Sequence, residues 1–79
     1  MRYKTSGVCS SAIDFDVEDG RVKNVRFTGG CNGNTHGVSR LVEGMLVEEV
    51  ISRLEGIRCG FRSTSCPDQL AKALKEWRA

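Results

Sequence analysis

Residues 11–28 read SAIDFDVEDGRVKNVRFT, and this stretch decides the fold. Apolar residues alternate with polar ones through residues 11–18 and again through residues 22–28, which is the pattern of two half-buried strands. The sequence that joins them, residues 18–21 (EDGR), is typical of a tight turn. We therefore predict an antiparallel hairpin with one apolar face.

The register of this hairpin depends on the length of the turn. A two-residue turn at Asp19 and Gly20 would place Ile13 opposite Arg26. A three-residue turn, with Gly20 in the left-handed conformation, places Ile13 opposite Val25 instead. Only the second choice brings the apolar residues of the two strands onto the same face, so we predict the three-residue turn.

Outward from the hairpin, residues 2–6 can add an edge strand, and the residues after Gly30 change to a helical period. Apolar residues then recur every three or four positions, as on one face of a helix. This pattern occurs twice and predicts two helices. The apolar face consists of Val38, Leu41, Val42 and Met45 in the first helix, and of Val47, Val50, Ile51 and Leu54 in the second.

Capping residues set the predicted limits of these two helices. Asn34 or Thr35 can cap the start of the first helix, and Gly44 can end it. Gly56 stops the second helix, whereas Leu46 is a poor cap for its start.

A third helix is indicated near the end of the sequence. Pro67 suits the first helical position, which makes Cys66 the predicted N-cap. Asp68 falls in the first turn, where a carboxylate interacts favourably with the helix dipole. The predicted buried stripe of this helix is Leu70, Leu74 and Trp77.

The sequence therefore predicts one α+β domain over residues 1–79: a small antiparallel sheet, made of the hairpin plus an edge strand, covered on one face by three helices. The net charge of +2 and the charged fraction of 28% do not suggest a nucleic-acid partner or a membrane surface. Residues 1–7 lack the apolar core of a secretory signal, so we expect a cytoplasmic protein.

The four cysteines each fall at a joint between predicted elements: Cys9, Cys31, Cys59 and Cys66. Cys9 precedes one hairpin strand and Cys31 follows the other, so the two should lie near each other. Helices packed on the sheet can bring Cys59 and Cys66 to the same end. Four thiolates suit a tetrahedral zinc ion or an iron–sulfur cluster.

The local sequence around two of these cysteines supports such a site. Cys31 follows Gly29 and Gly30, which let backbone N–H groups approach a sulfur closely. Cys31 and Cys66 both stand at predicted helix N-termini, where the dipole favours a thiolate. The alternatives are four separate buried thiols, a reactive dithiol made of Cys59 and Cys66, and, less favoured in a reducing compartment, a disulfide framework.

Other polar residues are weaker candidates. His36 could be an additional ligand, but a lone histidine in a first helical turn is more often solvated. Two sets of charged residues are better interpreted as solvated faces: Arg53, Arg58 and Arg62, and Asp14, Asp16 and Glu18. No catalytic triad of Ser, His and Asp is apparent, and we expect no enzymatic activity from the chain alone.

The run Thr64-Ser65-Cys66-Pro67-Asp68 resembles the signature that names the TSCPD domain. Together with residues 30–34 (GCNGN) and 58–60 (RCG), it is similar to the short four-cysteine TSCPD proteins over almost the whole chain. The same domain type occurs at the C-terminus of cobalamin-dependent ribonucleotide reductases. The resemblance thus implies a link to ribonucleotide reduction, through metal binding or thiol exchange, with a reductase as possible partner.

The order of features also resembles, more distantly, the NifU-type iron–sulfur scaffold proteins. Cys9, Cys31 and Cys66 fall at the positions of that family's three cysteines, and residues 43–50 resemble its central helix start. This resemblance implies a scaffold-like fold. The departures are Ser10 and Ser11 where the scaffold has an aspartate, Ser65 where it has a histidine, a missing chaperone-binding loop, and the extra Cys59. A closed set of four cysteines favours permanent metal binding over cluster transfer.

Three hypotheses follow from the sequence. The first is a metal-binding module with Cys9, Cys31, Cys59 and Cys66 as ligands, zinc being favoured over an iron–sulfur cluster. The second is a redox-active thiol domain that serves a reductase. The third is a metal-free interaction domain, for example a homodimer that uses an uncovered face of the sheet.

Overall fold

The computed structural model describes residues 2–5, 10–29, 32–58 and 64–78. Within these ranges the chain forms three strands and three helices, which confirms the predicted α+β class. The elements are β1 (Arg2–Lys4), β2 (Ser10–Glu18), β3 (Arg21–Gly29), α1 (Asn32–Val42), α2 (Val47–Leu54) and α3 (Cys66–Arg78). The strands form one antiparallel sheet in the order β1-β2-β3, so the predicted edge strand is confirmed beside β2.

The turn between β2 and β3 has two residues, not three. Glu18 lies opposite Arg21, and both turn residues have positive φ, 53° at Asp19 and 76° at Gly20. Positive φ at both central positions is the geometry that matches the twist of a two-residue hairpin. The predicted three-residue turn is therefore wrong.

A bulge in β3 provides the common apolar face that the longer turn was expected to provide. Asp16 lies opposite Lys23 and Asp14 opposite Arg26, so β3 contributes one extra residue between these pairs. Asn24 adopts a φ of 54° there, which asparagine tolerates better than most residues.

This shift places Ile13 opposite Phe27, whereas the sequence predicted Val25 as its partner. Ile13 is fully buried, Val25 is buried and Phe27 is half-buried. The apolar residues thus share one face, as predicted, but because of a two-residue turn and a bulge, not because of a three-residue turn.

The first helix begins earlier than predicted and buries a different stripe. It starts at Asn32, so the predicted start at Asn34 or Thr35 is wrong and both residues lie inside α1. Leu41 was predicted on the buried face but is 78% exposed, because it lies about 100° around the helix from its buried neighbour Val42. Gly44, with a φ of 82°, follows the helix end as predicted.

The second helix has the predicted buried stripe, and it lacks a side-chain cap, as predicted. Val47, Val50 and Ile51 are buried, and Leu46 makes no side-chain capping hydrogen bond. The segment before α2 is held by the sheet instead. The N–H of Val22 donates to the carbonyl of Met45 at 2.8 Å, and Leu46 forms an isolated bridge with Arg21.

The third helix buries its first half against the sheet and α2. Leu70 and Leu74 are fully buried, as predicted, but Trp77 is 42% exposed and lies outside the core. The core lies between the helices and one face of the sheet, and its largest fully buried side chains are Phe15, Ile13, Leu70, Leu74, Val22 and Val50. No helix in the described ranges is long and apolar enough to cross a bilayer.

Candidate functional site

The start of α3 is capped by Ser65. The N–H of Asp68 donates to Ser65 Oγ at 3.2 Å, and the N–H of Gln69 donates to the Ser65 carbonyl at 2.8 Å. Cys66 is therefore the first helical residue and Pro67 the second, so the prediction that Cys66 is the N-cap is wrong by one position. A serine hydroxyl satisfies the exposed N–H groups of a helix start better than a thiol does.

Ser65 and Asp68 also tie α3 to the end of α2. The Ser65 hydroxyl donates to the carbonyl of Ile57 at 2.7 Å. The N–H of Gly56 donates to Asp68 Oδ1 at 2.8 Å. These two bonds join the residues just after α2 to the first turn of α3, and so fix both ends of the connection that carries Cys59.

A second set of hydrogen bonds closes the inner side of this helix start. The Thr64 hydroxyl donates to Asp68 Oδ2, and the Gln69 side-chain amide donates to Thr64 Oγ1 at 3.0 Å. Thr64, Asp68 and Gln69 are all 5% exposed or less. Among the described residues, no buried side-chain nitrogen or oxygen lacks a hydrogen-bond partner. The polar network is thus compatible with its burial.

The environment of Asp68 stabilises its charged form. Burial by itself raises the pKa of the Asp68 carboxyl, but the hydrogen bonds from Thr64 and from the Gly56 N–H, together with the nearby Lys72 ammonium, lower the pKa below its ordinary value of 3.8. Lys72 Nζ lies 3.5 Å from Asp68 Oδ2. The carboxylate is therefore a buried anchor of the helix start.

Because of this anchor, the free energy of unfolding should change with pH in the acidic range. Because the folded pKa of Asp68 is depressed, its contribution to the free energy of unfolding is fully present above the unfolded pKa and is lost as the pH falls through the folded pKa. We expect the wild type to lose stability more steeply below about pH 4 than an Asp68→Asn variant does. Urea denaturation at a series of pH values measures this, and identical pH slopes for the two proteins would contradict it.

Cys66 stands inside this network. It occupies the first turn of α3 and is 8% exposed. Its neighbours Ser65 and Asp68 fix the backbone on both sides of it. The helix start therefore holds one sulfur in a defined place, in a setting suited to metal binding or to thiol chemistry.

The other three predicted ligands, Cys9, Cys31 and Cys59, lie outside the described residues. Whether they meet Cys66 therefore stays a prediction. Within residues 2–5, 10–29, 32–58 and 64–78, no group of three or more His, Cys, Asp or Glu residues could hold a metal ion.

The weaker candidates behave mostly as surface residues. His36 is exposed on α1. Arg53 forms an i,i+4 ion pair with Glu49 at 3.3 Å, and Asp14 forms one with Arg2 at 3.1 Å. Asp16, Glu18 and Arg58 are exposed, and Arg62 lies outside the described residues.

The structural roles of Thr64, Ser65 and Asp68 were missed by the sequence prediction, which gave Asp68 only a favourable charge in the first turn. A signal for the cap was present: Ser65 stands three residues before the carboxylate of Asp68, which is close to the capping-box spacing. Nothing in the sequence indicated that the same carboxylate also binds the end of α2.

The fold and this helix start define a class: a small α+β domain in which a buried polar motif holds a cysteine at the N-terminus of the last helix. The family model of the TSCPD domain matches residues 1–77. The chain therefore belongs to the TSCPD domain family, as the sequence motifs predicted. No curated protein and no solved structure matches the chain.

Proposed function

We propose that the protein is a small metal-binding module in which Cys9, Cys31, Cys59 and Cys66 bind one metal ion, with zinc favoured over an iron–sulfur cluster. The observation that carries the proposal is the helix start itself. A buried network of Thr64, Ser65 and Asp68 fixes the first turn of α3, which carries Cys66. A thiolate is the form that binds zinc.

The open end of the β2–β3 hairpin, away from its turn, supports the same proposal. Ser10 and Gly29 are partners in the ladder between β2 and β3. Ser10 directly follows Cys9 in the chain, and Gly29 precedes Cys31 by two residues. The chain therefore leads to these two cysteines from one end of the hairpin, as a shared site requires.

The connection between α2 and α3 includes Cys59, the fourth proposed ligand. Arg58 is the last described residue before Cys59, and Thr64 is the first after it. The bonds from Ser65 to Ile57 and from Gly56 to Asp68 hold both ends of this connection together. The two ends of the sequence segment that contains Cys59 are therefore joined at the helix start that carries Cys66, which supports Cys59 as the fourth ligand.

A structural role for the metal fits the size of the domain. A chain of 79 residues has a small core, and domains near this size gain much from a metal that cross-links their connections. Four thiolates around zinc leave no open coordination position, which favours a structural site over metal transfer or catalysis. In this proposal Ser65 and Asp68 position the Cys66 backbone before the metal binds.

Single cysteine-to-serine variants test the ligand set. We expect each of Cys9→Ser, Cys31→Ser, Cys59→Ser and Cys66→Ser to lower zinc affinity by at least about 100-fold, because serine does not supply a thiolate. Competition with a colorimetric chelator measures the affinity. His36→Ala is the matched control and should retain wild-type affinity. The proposal fails if zinc binding survives all four serine substitutions.

A second candidate function is a thiol-exchange domain associated with ribonucleotide reduction. It is motivated by the position of Cys66 in the first turn of α3 and by the family's occurrence in ribonucleotide reductases. It predicts that metal-free protein forms a reversible disulfide and that Cys66 is alkylated rapidly. A metal-bound protein whose four sulfurs resist alkylation would argue against it. Normal folding without any cysteine would instead favour a metal-free interaction domain.

A further inference from the structure

A cleft of about 550 Å³ lies between β3 and α1, away from the polar network of α3. β3 contributes Val25, Arg26 and Phe27 to its lining, and α1 and the turn after it contribute His36, Arg40 and Glu43. The volume is within the range of small-molecule sites in proteins. The proposed metal module does not use these residues.

The cleft contains an arginine without an ion pair in the described part of the protein, Arg40. Its one acidic lining residue, Glu43, already accepts a hydrogen bond from the N–H of Asn24 at 2.9 Å and lies 4.0 Å from Lys23 Nζ. Arg40, by contrast, forms no ion pair with any residue in the described ranges, and the same holds for Arg26. The Arg40 guanidinium thus lacks a counter-charge in the described part of the protein, whereas Arg26 lies directly opposite Asp14 in the β2–β3 ladder.

Arg26 also borders a second cleft, which includes Asp14 and Asp16. Those carboxylates already have partners, since Asp14 pairs with Arg2 at 3.1 Å and Asp16 accepts from the Asn24 side-chain amide at 3.1 Å. Arg26 lies opposite Asp14 on the face of β3 away from Val25 and Phe27, so its charge belongs to the second cleft, and Arg40 is the cation of the first cleft.

The apolar part of the cleft comes from β3. Val25 is buried and Phe27 is half-buried, and both side chains belong to the apolar face of the sheet. A cleft with an aromatic residue and an unneutralised arginine is complementary to a molecule with a flat apolar body and an anionic group. Arginine binds the oxygens of phosphate and carboxylate groups through its planar fork.

We propose that the cleft between β3 and α1 binds a small molecule that joins a flat apolar ring to a phosphate or carboxylate group. Arg40 contacts the anionic group. The ring packs against Phe27. Phosphorylated and carboxylated ligands share this chemistry, and the probes below distinguish them.

Ligand titrations followed by amide chemical shifts test this site in the full-length protein. Phenyl phosphate and benzoate are the anionic probes, and phenol and inorganic phosphate each supply one half of the proposed ligand. We expect at least one anionic aromatic probe to bind more tightly than both half-probes and to shift the amides of Phe27 and Ser39. A stronger effect of phenyl phosphate would assign a phosphorylated ligand, and a stronger effect of benzoate a carboxylated one.

Matched charge variants test whether the probes bind in this cleft. Arg40→Gln should weaken binding of the better probe about tenfold, the loss of one charge-assisted hydrogen bond. Lys4→Gln removes one exposed positive charge from β1, at the opposite edge of the sheet, and should leave binding unchanged. Equal losses in the two variants, or no shift at Phe27 and Ser39 with any probe, would overturn the proposal. Metal content is measured on the same variants and should not change.

Discussion

Replacing Asp68 with alanine is expected to lower the free energy of unfolding by about 2–4 kcal/mol. The substitution removes the acceptor of the Gly56 N–H and of the Thr64 hydroxyl, and Thr64 is 5% exposed. Leaving a buried donor without its charged acceptor lowers the free energy of unfolding far more than breaking an exposed ion pair does. Urea denaturation at neutral pH, followed by circular dichroism, measures the change.

Lys72→Gln is the matched control for this prediction. Lys72 also pairs with Asp68, but its side chain is 51% exposed, so its removal should cost less than about 0.5 kcal/mol. An Asp68→Ala variant as stable as Lys72→Gln would show that the buried network does not hold the helix start. The structural role assigned to the TSCPD motif would then be wrong.

Removing the metal is expected to have the second large effect. If four cysteines hold one metal ion, stripping it with a chelator under reducing conditions should lower the Tm by more than about 10 °C. The metal would cross-link the segment before β2, the segment before α1 and the connection between α2 and α3. Differential scanning calorimetry measures the shift, and adding zinc back should restore the Tm.

The control for metal removal is Cys31→Ser. This variant should bind metal poorly from the start, so the same chelator treatment should change its Tm little. A wild-type Tm that is unchanged by verified metal removal would contradict a structural metal. Cys66 would then be better explained by thiol exchange or by simple packing.

The hairpin shows how far the sequence pattern predicted the sheet. Alternation in residues 11–18 and 22–28 predicted both strands and their common apolar face, because a period of two follows directly from strand geometry. The pattern could not choose the register. A two-residue turn followed by a bulge at Asn24 satisfies the same alternation as a longer turn, and the bulge depends on a positive φ that Asn24 tolerates without requiring it.

The helices show a different limit. Apolar spacing predicted all three, but Leu41 and Trp77 were predicted to be buried and are exposed. Whether a residue at the border of an apolar stripe is buried depends on which neighbour covers that border. That is a property of tertiary packing, which the spacing within one helix does not contain.

The candidate site was predicted from its cysteines, and the structure adds what surrounds one of them. The sequence placed Cys66 at a helix N-terminus, which is confirmed to within one residue. It did not predict that Thr64, Ser65 and Asp68 form a buried network, because these bonds reach Gly56 and Ile57 in another part of the chain. Side-chain hydrogen bonds between distant segments leave no periodic pattern in a sequence.

Metal content per chain, measured together with an absorption spectrum on protein purified without oxygen, tests whether the four cysteines hold one metal ion. We predict one zinc per chain and no visible absorption band, since zinc has a filled d shell. Iron with sulfide and a brown chromophore would keep the four-cysteine site but assign it a cluster. Metal-free protein with four titratable thiols in every preparation would contradict a metal site made of the four cysteines.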